Sequence, residues 1–288
     1  MLRISTFNWL EFFHRLYDKT FDAELFSRAA QAAFYFTFSL FPLLYFLVSV
    51  FGIVLESTDG LKAETLAYLQ QIMPSAVFEL VRRTMEEIVE NSTGGKLTLG
   101  LVVTLWSASA GVDGIRGALN AIYGLRERRS WWWTKLQSLV LTLIITILAA
   151  VILAVVFYGW QLVQFGFAYL GLPVTSPFLL IGIQWISILL LMLFACEVIF
   201  NLLPDFRKIR WIWITHGSVV AIGLWFVLTS GFRIYLSFFN TYDKTYGSLG
   251  AVMILMLWLY LTALVVMIGG AINAVVSDMN ASDTDDTL

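Results

Sequence analysis

The sequence predicts an all-α, polytopic membrane protein, a bundle of six transmembrane helices. Hydrophobic residues fill 59% of its 288 positions and charged residues only 13%, whereas about a quarter of a soluble domain is usually charged. The apolar residues are gathered into charge-free runs, and about 20 apolar residues suffice for a helix to cross the hydrocarbon core. A helix satisfies its backbone hydrogen bonds internally, so such runs favour helices over barrel strands, whose residues would alternate in character.

Charge-free runs and turn residues set the limits of the six spans. Between Lys135 and Glu197 no charged residue occurs, and this run is too long for one helix. Gly171, Pro173 and Pro177 divide it into two spans. The transmembrane domain is predicted over residues 32–277, with spans at 32–55, 97–116, 136–159, 178–200, 211–232 and 245–277.

Three segments are predicted to lie outside the spans. Residues 1–31 hold an amphipathic helix, with Trp9 and Phe13 on its apolar face, that suits the inner membrane interface. Residues 56–96 are predicted to form a short outer helical hairpin, because apolar residues recur there at helical spacing. Residues 278–288 are acidic and are predicted to be a disordered tail.

The distribution of positive charge predicts the orientation. With the N-terminus inside, the inner segments carry twelve of the 18 Lys and Arg residues and the outer segments six. Positive residues concentrate on the cytoplasmic side of membrane proteins. We therefore expect a multi-pass protein of the bacterial cytoplasmic (inner) membrane, with both termini in the cytoplasm.

The residues that common catalytic and metal sites require are scarce. The chain has one cysteine, Cys196, and two histidines, His14 and His216, and it has no P-loop, H-E-x-x-H or G-x-S-x-G pattern. Its net charge is −2 with acidic and basic residues mixed, which gives no footprint for nucleic acid. The sequence therefore predicts no catalytic site, no metal, no cofactor and no enzyme activity.

A polar stripe begins near the inner end of the second span and continues beyond it. Asp113, Arg116, Asn120 and Tyr123 recur at steps of three and four residues and share one helical face. One interpretation is a structural Asp113–Arg116 pair whose arginine reaches the interface. The other is contact with a solute or ion, because charges inside membrane proteins tend to be functional.

Further polar residues fall near the inner ends of other spans. Glu197, His216 and Asn273 lie there, as does Gln31. Each taken alone is explained as a packing or interface residue, and His216 alone is weak evidence for a proton relay. Together with the stripe they predict a polar cavity that opens to the cytoplasm and binds substrate.

Two more features have both a structural and a functional interpretation. Pro42 lies near the middle of the first span, where it is either an ordinary kink or the hinge of a broken transporter helix. Arg233, Asp243, Lys244 and Tyr246 cluster at the outer ends of the last two spans. That cluster is either an interfacial anchor or part of a second site.

Several stretches resemble the YihY/BrkB family of bacterial inner-membrane proteins, formerly labelled ribonuclease BN. In the family's order they are Ala29–Pro42 (AAQAAFYFTFSLFP), Ser109–Tyr123 (SAGVDGIRGALNAIY), Leu203–Trp211 (LPDFRKIRW), Tyr246–Gly250 (YGSLG), Trp258–Tyr260 (WLY) and Gly269–Ala274 (GGAINA). The resemblance implies a six-helix inner-membrane fold with transport or envelope-related roles. The family usually has a glutamate where this chain has Ala271, so a proton or ion role of that carboxylate is not carried over.

These observations favour a transporter or exporter of an amphipathic or lipid-linked solute, with Arg116 as the contact for an anionic group. The alternative is an envelope scaffold that docks partners through the outer hairpin, and an intramembrane enzyme is a third and weaker hypothesis. Membrane lipids are expected partners. The sequence leaves substrate, coupling ion and homo-oligomeric state open.

Overall fold

The computed structural model describes residues 8–39, 94–169, 177–207, 211–238 and 248–285. Within these ranges the chain is helical and contains no strand. The helices are α1 (Trp9–Asp22), α2 (25–39), α3 (Gly94–Ile122), α4 (Trp131–Tyr169), α5 (Pro177–Leu202), α6 (His216–Phe238) and α7 (Ser248–Asp285).

Helices α3 to α7 form a ring in chain order. Each packs against the next, and α7 closes the ring by packing against α3. Helix α1 lies outside the ring against α7 and α3. One end of the bundle contains α1, the α3–α4 loop (123–130) and the described residues of the α5–α6 linker (203–207 and 211–215), and we call it the loop end.

Four described helices have the length and apolar composition of membrane spans: Trp131–Val156, Phe178–Leu202, His216–Leu236 and Val252–Asn280. Helix α3 (Gly94–Ile122) contains the second predicted span, 97–116, and extends beyond both of its ends. Of the first predicted span, residues 40–55 lie outside the described residues, as do residues 56–93 of the predicted hairpin. The chain is thus an all-α protein with several membrane-spanning helices, and the count of six stays a prediction.

The start of α6 differs from the predicted span at 211–232. The helix begins at His216 because Thr215 caps it: Thr215 Oγ1 accepts from the Ser218 amide and Ser218 Oγ accepts from the Thr215 amide, both at 3.2 Å. This reciprocal pair resembles a capping box and satisfies amides that a helix start leaves unpaired. The apolar tryptophans before it belong to the α5–α6 linker.

The predicted disordered tail at 278–288 also differs in its described part, because α7 continues to Asp285, while residues 286–288 lie outside the described residues. Lys19 of α1 forms an ion pair with Asp278 at 2.9 Å and donates to the carbonyl of Ile122 at 3.0 Å. Lys19 therefore joins α1 to the end of α3 and to the last part of α7. The acidic sequence of that part had led to the prediction of a disordered tail.

Helix α1 is amphipathic, as its residue pattern suggests. Asn8 caps it by accepting from the Glu11 amide at 3.3 Å. Phe12 is buried and packs with Ile272 and Val275 of α7. The other face exposes large apolar side chains to the surroundings of the protein; they are Trp9, Leu10, Phe13, Tyr17 and Phe21.

Glycines allow two pairs of helices to approach closely. A Cβ added to Gly114 of α3 would lie 3.7 Å from the Cα of Ala32 in α2. A Cβ on Gly217 of α6 would overlap the carbonyl oxygen of Gly269 in α7. Small residues at helix interfaces of this kind are a common packing device in membranes.

Candidate functional site

A half-open cavity of about 520 Å³ lies at the loop end of the bundle. Its walls come from the end of α5, the α5–α6 linker, the start of α6 and the last turns of α7, with Tyr123 from the end of α3. The lining residues are Tyr123, Phe200, Asn201, Phe206, Ile212, Ile214, Thr215, His216, Asn273, Val276, Ser277 and Asn280. We call this space the loop-end cavity.

Asn273 fixes the polar side of this cavity. Its Oδ1 accepts from the Gly217 amide at 2.7 Å, and its Nδ2 donates to Thr215 Oγ1 at 2.9 Å. Gly217 can come this close to α7 because it has no side chain. The amide of Asn273 therefore joins the first turn of α6 to α7, which are separated by more than fifty residues in sequence.

Glu197 lies directly behind the cavity wall and is 1% exposed. Its Oε1 accepts from the amide and the hydroxyl of Thr215 at 2.7 and 2.9 Å, and its Oε2 accepts from Asn201 at 3.0 Å. Within the described part of the chain its partners are all neutral. The positive end of the α6 dipole favours a carboxylate at this place.

Tyr123 and Phe206 form an aromatic wall, with ring centroids 5.0 Å apart in an edge-to-face arrangement. Tyr123 follows α3 at a turn in which Gly124 takes a left-handed φ of +64°. The amide of Leu125 donates to the carbonyl of Asn120 at 2.7 Å, which completes a Schellman cap. Burial raises the pKa of the Tyr123 hydroxyl, while a hydrogen bond with Asn273 acts in the opposite direction.

Asp113 and Arg116 lie in a different network, between α3 and α4. Asp113 forms an ion pair with Arg116 at 2.9 Å and accepts hydrogen bonds from Lys135 at 3.2 Å and from Ser138. Arg116 also donates to the carbonyl of Thr134 at 3.0 Å. Neither residue lines the loop-end cavity, so the geometry ties this pair to helix packing.

Lys135 is the member of this network that the sequence reasoning missed, because it served only to mark the edge of a span. Its ammonium group donates to Ser109 at 2.6 Å and lies 4.5 Å from the ring centroid of Trp106. The side chains of Lys135 and Arg116 are 10% and 7% exposed. Two buried cations therefore share the single carboxylate of Asp113.

Asn120 belongs to a third network, which fastens the α3–α4 loop to the α5–α6 linker. Its side chain donates to Glu127 at 3.1 Å and accepts from the Asp205 amide at 2.9 Å. Arg129 binds Glu127 through Nε at 2.6 Å and Nη2 at 2.7 Å. The hydrogen bonds from Arg129 hold the pKa of Glu127 below its usual range, and those to Glu127 raise the pKa of Arg129.

The remaining predicted residues fall elsewhere or are not described. His216 is exposed and lines the cavity, whereas Gln31 is exposed and does not. Arg233 is exposed on α6. Pro42, Asp243, Lys244 and Tyr246 lie outside the described residues.

The chemistry that the cavity offers is hydrogen bonding beside apolar surface. Among its described lining residues there is no Lys, Arg, Asp or Glu. In the described ranges no three His, Cys, Asp or Glu side chains come close enough to hold a metal ion. Ala271, at the position where the resembling family usually has a glutamate, is fully buried in the core.

Comparison with known proteins places the chain in a family. The model of the family described as virulence factor BrkB matches residues 16–287. The putative ribonuclease-like protein YfkH of Bacillus subtilis (strain 168) is 31% identical over 250 residues, which cover 86% of this chain and 88% of that protein. The term ribonuclease-like is part of that relative's name.

Two further relatives are longer than this chain. UPF0761 membrane proteins of Xanthomonas campestris pv. campestris (strain B100) and Xanthomonas axonopodis pv. citri (strain 306) are each 28% identical over 269 residues. The matches cover 89% of this chain but only 58% and 59% of those proteins. No solved structure matches the chain. Since the family model covers nearly the whole sequence and long apolar helices make up most of the described residues, the chain belongs to the BrkB virulence factor family of membrane proteins.

Proposed function

We propose that this protein transports or exports an amphipathic or lipid-linked solute, and that the solute enters at the loop-end cavity. The observation that carries the proposal is the cavity itself, which combines aromatic and aliphatic walls with uncharged hydrogen-bonding groups. Its volume of about 520 Å³ falls within the range of about 300–1,000 Å³ for ligand sites. A solute with an apolar chain and a polar head needs both kinds of surface.

The lining favours recognition of the head group through neutral hydrogen bonds. His216, Ser277 and Asn280 line the wall formed by α6 and α7. Arg116 belongs to the network between α3 and α4, so the proposal does not depend on it as an anion contact. Recognition instead depends on the position of Asn273, which Gly217 and Thr215 fix.

Blocking the cavity tests the proposal. Ser277 is an exposed lining residue of α7, whereas Ser230 is an exposed residue of α6 outside the cavity. The wild type, Ser277→Trp and Ser230→Trp would be purified from bacterial membranes in lipid nanodiscs. Mass spectrometry of the extracted small molecules would then compare what each variant retains, and the enriched molecule would be tested for movement into proteoliposomes.

We expect the wild type and Ser230→Trp to retain and transport the same amphipathic molecule and Ser277→Trp to lose both properties. Equal retention and transport in all three proteins would overturn the proposal. The scaffold alternative needs neither a retained solute nor an open cavity. It relies on the predicted hairpin at 56–96, most of which lies outside the described residues.

A further inference from the structure

A second, apolar groove of about 280 Å³ runs along α4 near the loop end, where the last residue of α5 borders it. It is lined by Trp133, Leu136, Gln137, Val140, Leu141, Ile144 and Leu202. Helix α4, which supplies the other lining residues, has the length and composition of a membrane span. In a membrane the open side of this groove therefore faces lipid chains.

The length of the groove matches one leaflet of the bilayer. From Trp133 to Ile144 the helical rise covers about 16 Å, which is close to half of the roughly 30 Å hydrocarbon core. Gln137 is the single polar lining residue. Its Oε1 accepts from Arg129 at 2.5 Å and its Nε2 donates to the carbonyl of Leu202 at 2.6 Å. The amide is thus hydrogen-bonded within the protein and needs no polar partner in the groove.

The α3–α4 loop, which lies at the Trp133 end of the groove, is positively charged. Arg126, Arg128 and Arg129 face two carboxylates: Arg128 pairs with Asp205 and Arg129 with Glu127. Arg126 is exposed, and the ion pairs of this loop that join described residues do not include it. It lies three residues before Arg129, a separation of at most about 10 Å along the chain.

We propose that the groove is a binding site for one anionic phospholipid. An acyl chain lies along α4 in the groove, with its upper part beside Leu202 of α5, and the phosphate lies beside Arg126 at the α3–α4 loop. Trp133 is placed at the level of the head group, where tryptophan is enriched in membrane proteins. The site differs from the loop-end cavity in all of its lining residues, so the inference stands independently of the proposed transport.

Native mass spectrometry of the full chain in neutral detergent tests this site, with phosphatidylglycerol and phosphatidylcholine as probes. Val140→Trp fills the groove. Leu143→Trp is its matched control, because Val140 and Leu143 are each 49% exposed and only Val140 lines the groove. Arg126→Gln removes the charge at the α3–α4 loop, and Arg15→Gln removes a charge on α1 as its control. Thermal unfolding of each variant would establish that it is folded.

We expect the wild type to retain one phosphatidylglycerol in preference to phosphatidylcholine, and Val140→Trp to lose the retained lipid of either class. Arg126→Gln should still retain a lipid, but its preference for phosphatidylglycerol should fall by about fivefold. This is the affinity that one arginine contributes near an anionic head group. Glycerol phosphate without chains should not displace the lipid. Wild-type retention by Val140→Trp, an unchanged preference in Arg126→Gln, or displacement by glycerol phosphate would each overturn the proposal.

Discussion

Removing the negative charge of Asp113 should destabilise the protein more than removing either of its cationic partners. Asp113→Asn keeps the shape of the side chain but removes the carboxylate with which Arg116 and Lys135, with side chains 7% and 10% exposed, both form their ion pairs. Removing one partner of a buried ion pair costs about 3–5 kcal/mol. The carboxylate is itself 33% exposed, so we expect the lower end, about 3 kcal/mol.

Arg116→Met should cost less, because Lys135 and Ser138 still bind Asp113. Loss of the Arg116 guanidinium removes hydrogen bonds of a charged group, which lowers the free energy of unfolding by about 1.5–3 kcal/mol. We expect a value of about 1.5 kcal/mol. The double variant should be more stable than Asp113→Asn alone, since it contains one uncompensated cation instead of two. Lys135 would remain over the Trp106 ring.

Equilibrium unfolding of the purified protein in mixed micelles would measure these differences. If Arg116→Met lowered the free energy of unfolding as much as Asp113→Asn or more, the shared-carboxylate arrangement would be refuted. So would strict additivity in the double variant, because it would mean that the two side chains do not interact.

Two further predictions concern packing and pH. Gly217→Ala should lower the yield of folded protein and its melting temperature, because the new methyl group overlaps the Gly269 carbonyl; Gly223→Ala, with nothing within 4 Å of the added Cβ, should leave both unchanged. Acidification should reduce the thermal stability of the wild type as the pH falls below the ordinary Glu pKa of about 4.3. Hydrogen bonds from Arg129 lower the pKa of Glu127 in the folded state. The charged carboxylate therefore stabilises the fold above this pH range, and that stabilisation is lost when it is protonated. A Glu127→Gln variant should show a smaller loss over the same pH range, and an identical loss would contradict the role given to this pair.

The helices were the most predictable part of the fold, because charge-free apolar runs report membrane spans directly. The start of α6 was harder to predict. The apolar run begins at Trp211, but the helix begins only at His216, after the cap at Thr215. A Thr three residues before Ser218 was a local signal that could have located this boundary. Hydropathy alone does not contain that signal.

The polar stripe shows what sequence could not give. Asp113, Arg116 and Asn120 do share α3, and Tyr123 follows directly after it, but the four residues span about 15 Å along the helix axis and therefore meet different neighbours. Arg116 meets α4, Asn120 meets the linker, and Tyr123 meets α7. Which partner each residue finds depends on contacts across many residues of sequence, and one helical face does not encode them.

The most direct test of the proposed transport site is an electron cryo-microscopy map of the protein in native bacterial lipid. We predict density for an amphipathic or lipid-linked molecule in the loop-end cavity, in contact with Tyr123 and the α7 wall around Ser277. A map of the same quality for Ser277→Trp should lack that density. Ordered water alone in the wild-type cavity, in a preparation that is active in a functional assay, would contradict the assignment of this cavity as the solute site.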